Sequence, residues 1–164
     1  MNIIFKNITI IFFLYLLISF FSCNKEEKEA ELALIYSYIE TKKIISDTLP
    51  NGMFYSLIDT VSGNTPAKGD TIKTIYKAYF INSKKKLELF EQKTLTSPAS
   101  YINKEDPVIP GWEYGLNLMT NGDSAMFIIP SKLAYKGKQV GIIPPYSPLL
   151  FELRIIDIIS PTTD

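Results

Sequence analysis

The alternation of apolar and polar residues divides most of this chain into β-strands. Residues that recur with a period of two predict strands over 53–58, 71–81, 125–129 and 149–158. Shorter strands are predicted at 87–90 and 101–102. The longest strand places one set of side chains on a single face, namely Ile72, Thr74, Tyr76, Ala78 and Phe80. The last strand does the same with Leu149, Phe151, Leu153 and Ile155.

One segment within this series has helical spacing instead. Trp112, Leu116 and Met119 follow one another at intervals of four and three, which predicts a helix over residues 111–119. Gly122 suits the left-handed residue that ends a helix. Strands before and after one short helix predict an α+β domain with an antiparallel sheet wrapped around that helix.

A second helix is predicted ahead of the strands. Its apolar positions recur at helical spacing over residues 26–45, and they are Leu32, Ile35, Tyr36 and Ile39. This face is suited to packing on the domain or to a partner, including a second copy of the chain. Pro50 and the pair Asn51-Gly52 then break the helix.

The first 22 residues have the layout of an export signal. Residues 8–22 form an apolar run that is shorter than the roughly 20 residues of a membrane span. Ser22 stands directly before Cys23, as at a bacterial lipoprotein cleavage site. We therefore expect a signal peptide over 1–22, a tether and helix over 23–46, and a domain over 47–160. Lipidation would fall on Cys23, and an uncleaved anchor is the alternative.

Composition removes several kinds of function. The chain has no histidine and one cysteine, which excludes Ser-His and Cys-His catalysis and zinc sites built from these residues. Its 17 basic and 17 acidic residues give no net charge, so no electrostatic footprint for nucleic acid is present. No metal and no cofactor are expected.

An apolar loop is the main indication of function. Ile142, Ile143, Pro144 and Pro145 are consecutive in a region where solvent-exposed polar residues are the rule. Exposed loops rarely gather such residues without a binding role. Trp112, Tyr76 and Phe151 would each be explained equally well by core packing, because aromatic residues dominate cores as readily as sites.

Three motifs together resemble the FKBP-type peptidyl-prolyl cis-trans isomerases. They are Val108-Ile109-x-Gly111-Trp112-Glu113-x-Gly115, Ala134-Tyr135, and Gly141-Ile142-Ile143-Pro144-Pro145 followed by Leu149-x-Phe151. The resemblance covers roughly residues 52–158. With the lipoprotein leader, the chain is also similar to the FKBP-like lipoproteins associated with gliding motility.

The resemblance implies a pocket for a proline ring. Trp112 would form its floor and the backbone N–H of Ile109 would hold a substrate carbonyl, while the Tyr135 hydroxyl would bind another. The implied catalytic set is Tyr76, Ile109, Trp112, Tyr135 and Phe151. The implied substrate-binding set is Val108, Tyr101, Ala134, Ile142, Ile143 and Glu88.

The chain departs from the family pattern at several places: among them, Tyr101 would replace a wall phenylalanine, and the loop before Gly141 is short. The acidic residue after the first long strand is matched by Leu87-Glu88, with Leu89-Phe90-Glu91 as an alternative register. Lys136 follows Tyr135 where the family has glycine.

Two functions are compatible with the resemblance. The first is an envelope prolyl isomerase that assists the folding of exported, proline-containing polypeptides. It would be held by lipid at the membrane, on the periplasmic or surface side. The second is a non-catalytic chaperone or binding module in a motility or surface-assembly machine. A homodimer through the N-terminal helix is a further possibility in either case.

Overall fold

The computed structural model describes residues 26–161, so the expectations for the leader and for Cys23 lie outside the described residues. Helix α1 covers residues 26–42 in the described part. It is followed by β1 (Asp47–Thr48), β2 (Phe54–Asp59), β3 (Thr71–Ile81), β4 (Leu87–Lys93), β5 (Ala99–Ile102), α2 (Pro110–Leu116), β6 (Ser124–Ile129) and β7 (Leu149–Ile159). In residues 26–161, no helix combines the length and apolar character needed to cross a bilayer.

The strands form one antiparallel sheet in the order β1-β2-β6-β7-β3-β4, as the α+β prediction requires. β3 has two partners on its outer edge. Its first half pairs with β5, from Thr71↔Ile102 to Thr74↔Ala99, and its second half pairs with β4 from Tyr76↔Lys93 onward. The neighbour of β3 on this side therefore changes from β5 to β4 next to Tyr76.

The main core lies between α2 and one face of the sheet. Cross-strand neighbours Tyr55, Phe127, Phe151 and Ala78 are in register on this face. The α2 residues Trp112 and Leu116 pack in the same cluster, together with Met119. The predicted faces of β3, α2 and β7 are thus confirmed as core faces.

A second core covers the opposite face. Phe54, Ile128, Leu150 and Tyr79 are in register across β2, β6, β7 and β3. Ile35 and Tyr38 of α1 pack against them, with 0% and 4% of their surface exposed. The N-terminal helix therefore packs on its own domain, and Leu150 is buried although the residues on either side of it face the other core.

Both helices end earlier than predicted. Helix α1 ends in a Schellman motif. Lys43 adopts a left-handed φ of 53, its N–H donates to the Glu40 carbonyl, and the Ile44 N–H donates to the Ile39 carbonyl. Helix α2 ends at Leu116. Beyond it the backbone hydrogen bonds of Leu118 and Met119 reach back only three residues, and the Asn117 side chain donates to the Glu113 carbonyl at 2.7 Å.

The assignment of Gly122 as the residue that ends α2 was wrong. It does have a left-handed φ of 96, but it lies beyond the helix, in the turn that leads into β6. Its N–H donates to the Ile155 carbonyl at 3.1 Å. Gly122 therefore shapes the entry to a strand.

Candidate functional site

A cavity of about 580 Å³ opens where β3 changes partner, between the sheet and the start of α2. It brings together most of the residues that the sequence singled out: Tyr76, Tyr101, Val108, Ile109, Trp112, Ala134, Tyr135 and Phe151. These residues come from β3, β5, the segment before α2, α2 itself, the turn after β6, and β7. The cavity is thus a product of the tertiary fold.

Aromatic rings form the floor of this cavity. Trp112, 8% exposed, lies with its ring centroid 4.9 Å from that of Tyr76 and 5.1 Å from that of Phe151. Phe90 meets Phe151 at 6.1 Å with the planes at 90°. All three contacts are edge-to-face, an arrangement that fixes each ring against the next.

The close approach of α2 to β6 sets the position of Trp112. Pro110 occupies the first turn of the helix, where its missing N–H costs nothing. A Cβ on Gly111 would lie 2.3 Å from Cγ2 of Ile129, and one on Gly115 would lie 3.0 Å from the Phe127 ring. Only glycine permits α2 to lie this close to β6, and this close approach holds Trp112 at the cavity floor.

Three polar groups meet at one side of the cavity. The Tyr76 hydroxyl and the Glu91 carboxylate both line this side; burial raises the pKa of Tyr76 well above its usual range, and the charge of Glu91 raises it further. Burial also raises the pKa of Tyr135, with a second contribution from Glu91. Both phenols are therefore protonated hydrogen-bond donors at neutral pH.

The N–H of Ile109 supplies a further donor. Ile109 precedes α2 in an extended conformation, with φ −65 and ψ 140, and its carbonyl accepts the N–H of Trp112. Within residues 26–161 no acceptor is paired with the Ile109 N–H. This group is available to a carbonyl in the cavity.

Glu88 does not lie at the cavity, which corrects its assignment as a substrate-binding residue. It is exposed, and its Oε1 accepts a hydrogen bond from Asn82 at 2.9 Å near the β3–β4 hairpin tip. Glu91 lines the cavity instead. The alternative register Leu89-Phe90-Glu91 is the one that the structure supports.

A β-bulge explains why two consecutive residues, Phe90 and Glu91, both reach the cavity. Glu91 pairs with Ala78 while Leu89 pairs with Tyr79, so Phe90 is the extra residue. A bulge interrupts the alternation of faces that period-two patterning assumes. Asp106, Ala99 and Ser100 also line the cavity and were missed, because the segment before α2 carries no clear pattern.

Ile142 and Ile143 are not among the lining residues. Ile143 is 3% exposed and belongs to the main core, and its N–H donates to the Val140 carbonyl at 2.9 Å. Ile142 is 64% exposed. The loop is apolar as the sequence indicated, but its side chains divide between core and solvent.

The family model for FKBP-type peptidyl-prolyl cis-trans isomerases matches residues 62–156. This span includes β3 to β6, α2, β7 as far as residue 156, and the whole cavity. The chain belongs to the FKBP-type peptidyl-prolyl cis-trans isomerase family.

Curated relatives agree with this assignment. The chain is 33% identical over 111 residues to the isomerase FkpA of Escherichia coli K12, covering 68% of this chain and 39% of FkpA. It is 31% identical over 140 residues to "Outer membrane protein MIP" of Legionella longbeachae, covering 84% and 57% of the two chains. The chain therefore spans less than two thirds of the length of each of these relatives.

Solved structures show the same fold. The crystal structure of E. coli FkpA superimposes with a TM-score of 0.68 at 25% identity, covering 95% of this chain and 72% of that one. An isomerase from Pseudomonas syringae gives a TM-score of 0.64 at 24% identity, covering 81% and 96%.

Proposed function

We propose that this chain is a peptidyl-prolyl cis-trans isomerase that acts on exported polypeptides in the cell envelope. The observation that carries the proposal is the cavity with Trp112 as its floor and phenolic and N–H donors at its walls. Family membership supports the same activity.

The reaction requires no nucleophile and no proton transfer. Rotation about an X–Pro amide faces a barrier of about 18–20 kcal/mol because resonance stiffens the C–N bond. Without catalysis the exchange takes about 10–100 s at 25 °C. A chain without histidine can therefore catalyse it, provided that it binds the twisted amide better than the planar one.

The cavity favours the twisted amide by removing water. A planar amide is more polar than a twisted one, so an aromatic environment disfavours the planar state relative to the transition state. Trp112 would receive the proline ring, with Tyr76 and Phe151 as walls. Each 1.36 kcal/mol removed from the barrier accelerates exchange about tenfold.

Two hydrogen-bond donors would orient the substrate. The N–H of Ile109 and the hydroxyl of Tyr135 each suit a carbonyl on either side of the proline. The Glu91 carboxylate keeps the neighbouring Tyr76 phenol protonated, as a hydrogen-bond donor at the wall. The remaining predicted residues, Val108, Tyr101 and Ala134, would close the cavity around the peptide.

A proline-limited peptide isomerisation assay on the purified full chain tests the proposal. Wild type is compared with Trp112→Leu and Tyr135→Phe, and Tyr114→Phe is the matched control because Tyr114 lies outside the cavity on α2 and is 40% exposed. Loss of acceleration in Trp112→Leu and retention in Tyr114→Phe are expected. No effect of Trp112→Leu would exclude catalysis at this cavity.

The envelope location is supported by the sequence and by the name of one relative, "Outer membrane protein MIP" of Legionella longbeachae. The proposed anchor is a lipid on Cys23 after removal of residues 1–22. In cells fed a labelled fatty acid, the wild-type chain should carry label and sediment with membranes, whereas Cys23→Ser should do neither. Label that persists in the variant would refute the anchor.

A non-catalytic chaperone is a second candidate, and the apolar loop favours it. Ile142 is 64% exposed and Val140 38% exposed, beside exposed Pro144 and Pro145. Such a surface suits unfolded segments of client proteins. The test is an aggregation assay with an unfolded protein. On this reading wild type and Trp112→Leu both suppress aggregation, whereas Ile142→Ser does not. That result would show that binding is separate from turnover.

A homodimer through α1 is also proposed. It would use the part of α1 that stays exposed after the helix has packed on the sheet. Tyr36 of α1 is 55% exposed although its ring meets that of Phe54 edge-on at 5.3 Å. Sedimentation of wild type beside Tyr36→Ser should show a dimer that the substitution weakens. A monomer at all concentrations would refute this.

A further inference from the structure

We propose that Glu31, on helix α1, is a positioning residue for Tyr135 in the proline cavity. The proposal rests on the isomerase function proposed above, because it concerns the same cavity. Glu31 lies outside the segment that the family model matches, residues 62–156. The link therefore joins the N-terminal helix to one wall of the family domain.

Glu31 binds Ser131 with both of its carboxylate oxygens. The Ser131 backbone N–H donates a short hydrogen bond to Oε1, and the Ser131 hydroxyl donates to Oε2 at 2.8 Å. Burial raises the pKa of Glu31, whereas the two hydrogen bonds from Ser131 oppose this shift and favour the ionised carboxylate. Hydrogen bonds to an ionised acceptor are roughly twice as strong as those between neutral groups. One acidic side chain thus holds both donors of Ser131.

Ser131 in turn holds the segment that carries Tyr135. Its carbonyl accepts the N–H of Ala134 and the N–H of Lys136, each at 2.9 Å. Tyr135 lies between these two residues, and Lys136 adopts a left-handed φ of 57 that a lysine rarely takes unaided. The location of Ser131 therefore fixes the backbone on both sides of the phenol.

No local side chain substitutes for Glu31 at this turn. The 3-10 helix Ser131–Leu133 begins after Pro130, and no side chain of the turn caps it. Ser131 is 5% exposed, so its donors would be poorly hydrated without a partner. Glu31 acts as the cap of a turn 100 residues further along the chain.

The space behind the turn is not filled by apolar packing. A cavity of about 470 Å³ lies between α1 and this segment, with Leu32 and Tyr36 on one side and Pro130 and Lys132 on the other. Close packing normally transmits position between elements. Across this gap the Glu31–Ser131 hydrogen bonds bridge the two elements.

Helix α1 is a firm base for the carboxylate. Ile35 and Tyr38 follow Glu31 by four and seven residues, which is the spacing of one helical face, and both are buried against the sheet. A site residue is held more accurately by packed elements than by loops. The carboxylate is therefore presented from a fixed helix.

Kinetics of matched variants in the full chain test the proposal. Glu31→Ala removes both bonds, whereas Glu31→Gln keeps a carbonyl for the Ser131 N–H and an amide that donates to the Ser131 hydroxyl. Glu40→Ala is the control, because Glu40 is exposed on the same helix. We expect kcat/KM to fall about tenfold in Glu31→Ala, within the range for residues that act on a site through intermediaries. It should fall less in Glu31→Gln, whose neutral amide keeps both bonds in weaker form, and stay near wild type in Glu40→Ala.

A double-mutant cycle with Tyr135→Phe separates positioning from a general structural effect. If Glu31 acts through the phenol, Glu31→Ala should cost much less in a chain that already lacks the hydroxyl. An undiminished loss in that background overturns the proposal, as does a loss no greater than that of Glu40→Ala. Should Glu31→Ala fail to fold, Ser131→Ala takes its place under the same two criteria.

Amide exchange makes the outcome independent of turnover. The N–H groups of Ala134 and Lys136 should exchange faster in Glu31→Ala than in Glu40→Ala, while amides of β7 should be unchanged. Equal exchange overturns the link even if the enzyme is active. If wild type does not accelerate isomerisation, the proposed function fails, and faster exchange at these two amides still supports the Glu31 link.

Discussion

Gly111→Ala is the substitution that most directly tests how the cavity floor is built. The added Cβ would lie 2.3 Å from Cγ2 of Ile129, with Cδ1 at 3.1 Å and Cγ1 at 3.2 Å. Carbon atoms prefer separations of about 3.5–4.0 Å. The start of α2 and strand β6 must therefore separate by about 1 Å, or the Ile129 side chain must leave its rotamer.

The expected cost combines two opposing effects. Overpacking a core costs about 1–3 kcal/mol, and alanine in a helix regains up to about 1 kcal/mol over glycine. We expect a net loss of about 1–2 kcal/mol in the free energy of unfolding. Trp112 follows directly, and a misplacement of about 1 Å near a site can cost as much as about 100-fold in rate, so kcat/KM should fall at least about tenfold.

Urea unfolding and the peptide isomerisation assay measure the two effects on the same samples. Tyr114→Ala is the control, because this exposed position on α2 should change stability by no more than about 0.5 kcal/mol. A second substitution, Ile129→Ala, should cost less in the Gly111→Ala chain than in wild type, since the vacated space receives the new Cβ. Wild-type stability and activity in Gly111→Ala would refute this account of the floor.

Three further predictions concern charged and phenolic groups. Burial, and after it the charge of Glu91, raises the pKa of Tyr76 above its usual 10.0. The fold is therefore favoured while the phenol is protonated, and stability should fall as pH rises above about 10. In thermal melts Tyr76→Phe should reduce this loss of stability. Glu91→Gln should lower kcat/KM several-fold while Glu88→Gln leaves it unchanged, and equal effects would refute the bulge register. The Asp123 carboxylate accepts hydrogen bonds from two backbone N–H groups, each at 2.8 Å. Asp123→Ala leaves both donors without a partner, so the free energy of unfolding measured in urea should fall by about 2–4 kcal/mol.

The strands and α2 were predictable because their patterns are local. β3 was expected over residues 71–81 and occupies Thr71–Ile81, since its alternation of buried and exposed side chains tells which face meets the core. The family motifs around Trp112 and Tyr135 located most of the cavity. Both kinds of information lie within a few consecutive residues.

The parts that escaped prediction depend on contacts between distant segments. Period-two patterning cannot show that Phe90 is an extra residue in the β3–β4 pairing, so it could not choose between Glu88 and Glu91. Helical spacing predicted α1, but Glu31 is one of several acidic residues in its first turns. Only the packing of α1 on the sheet distinguishes it from the others.

The place of β7 in the sheet has a consequence for the order in which the chain can fold. This strand lies between β3 and β6 at the centre of the sheet, yet it is the last strand in chain order within residues 26–161. Until it emerges, β3 and β6 each present an unpaired edge, and such edges are prone to aggregation. A chain threaded across a membrane from its N-terminus would therefore remain vulnerable until nearly all of this domain has crossed, and any holding factor at the exit would act on it during that interval.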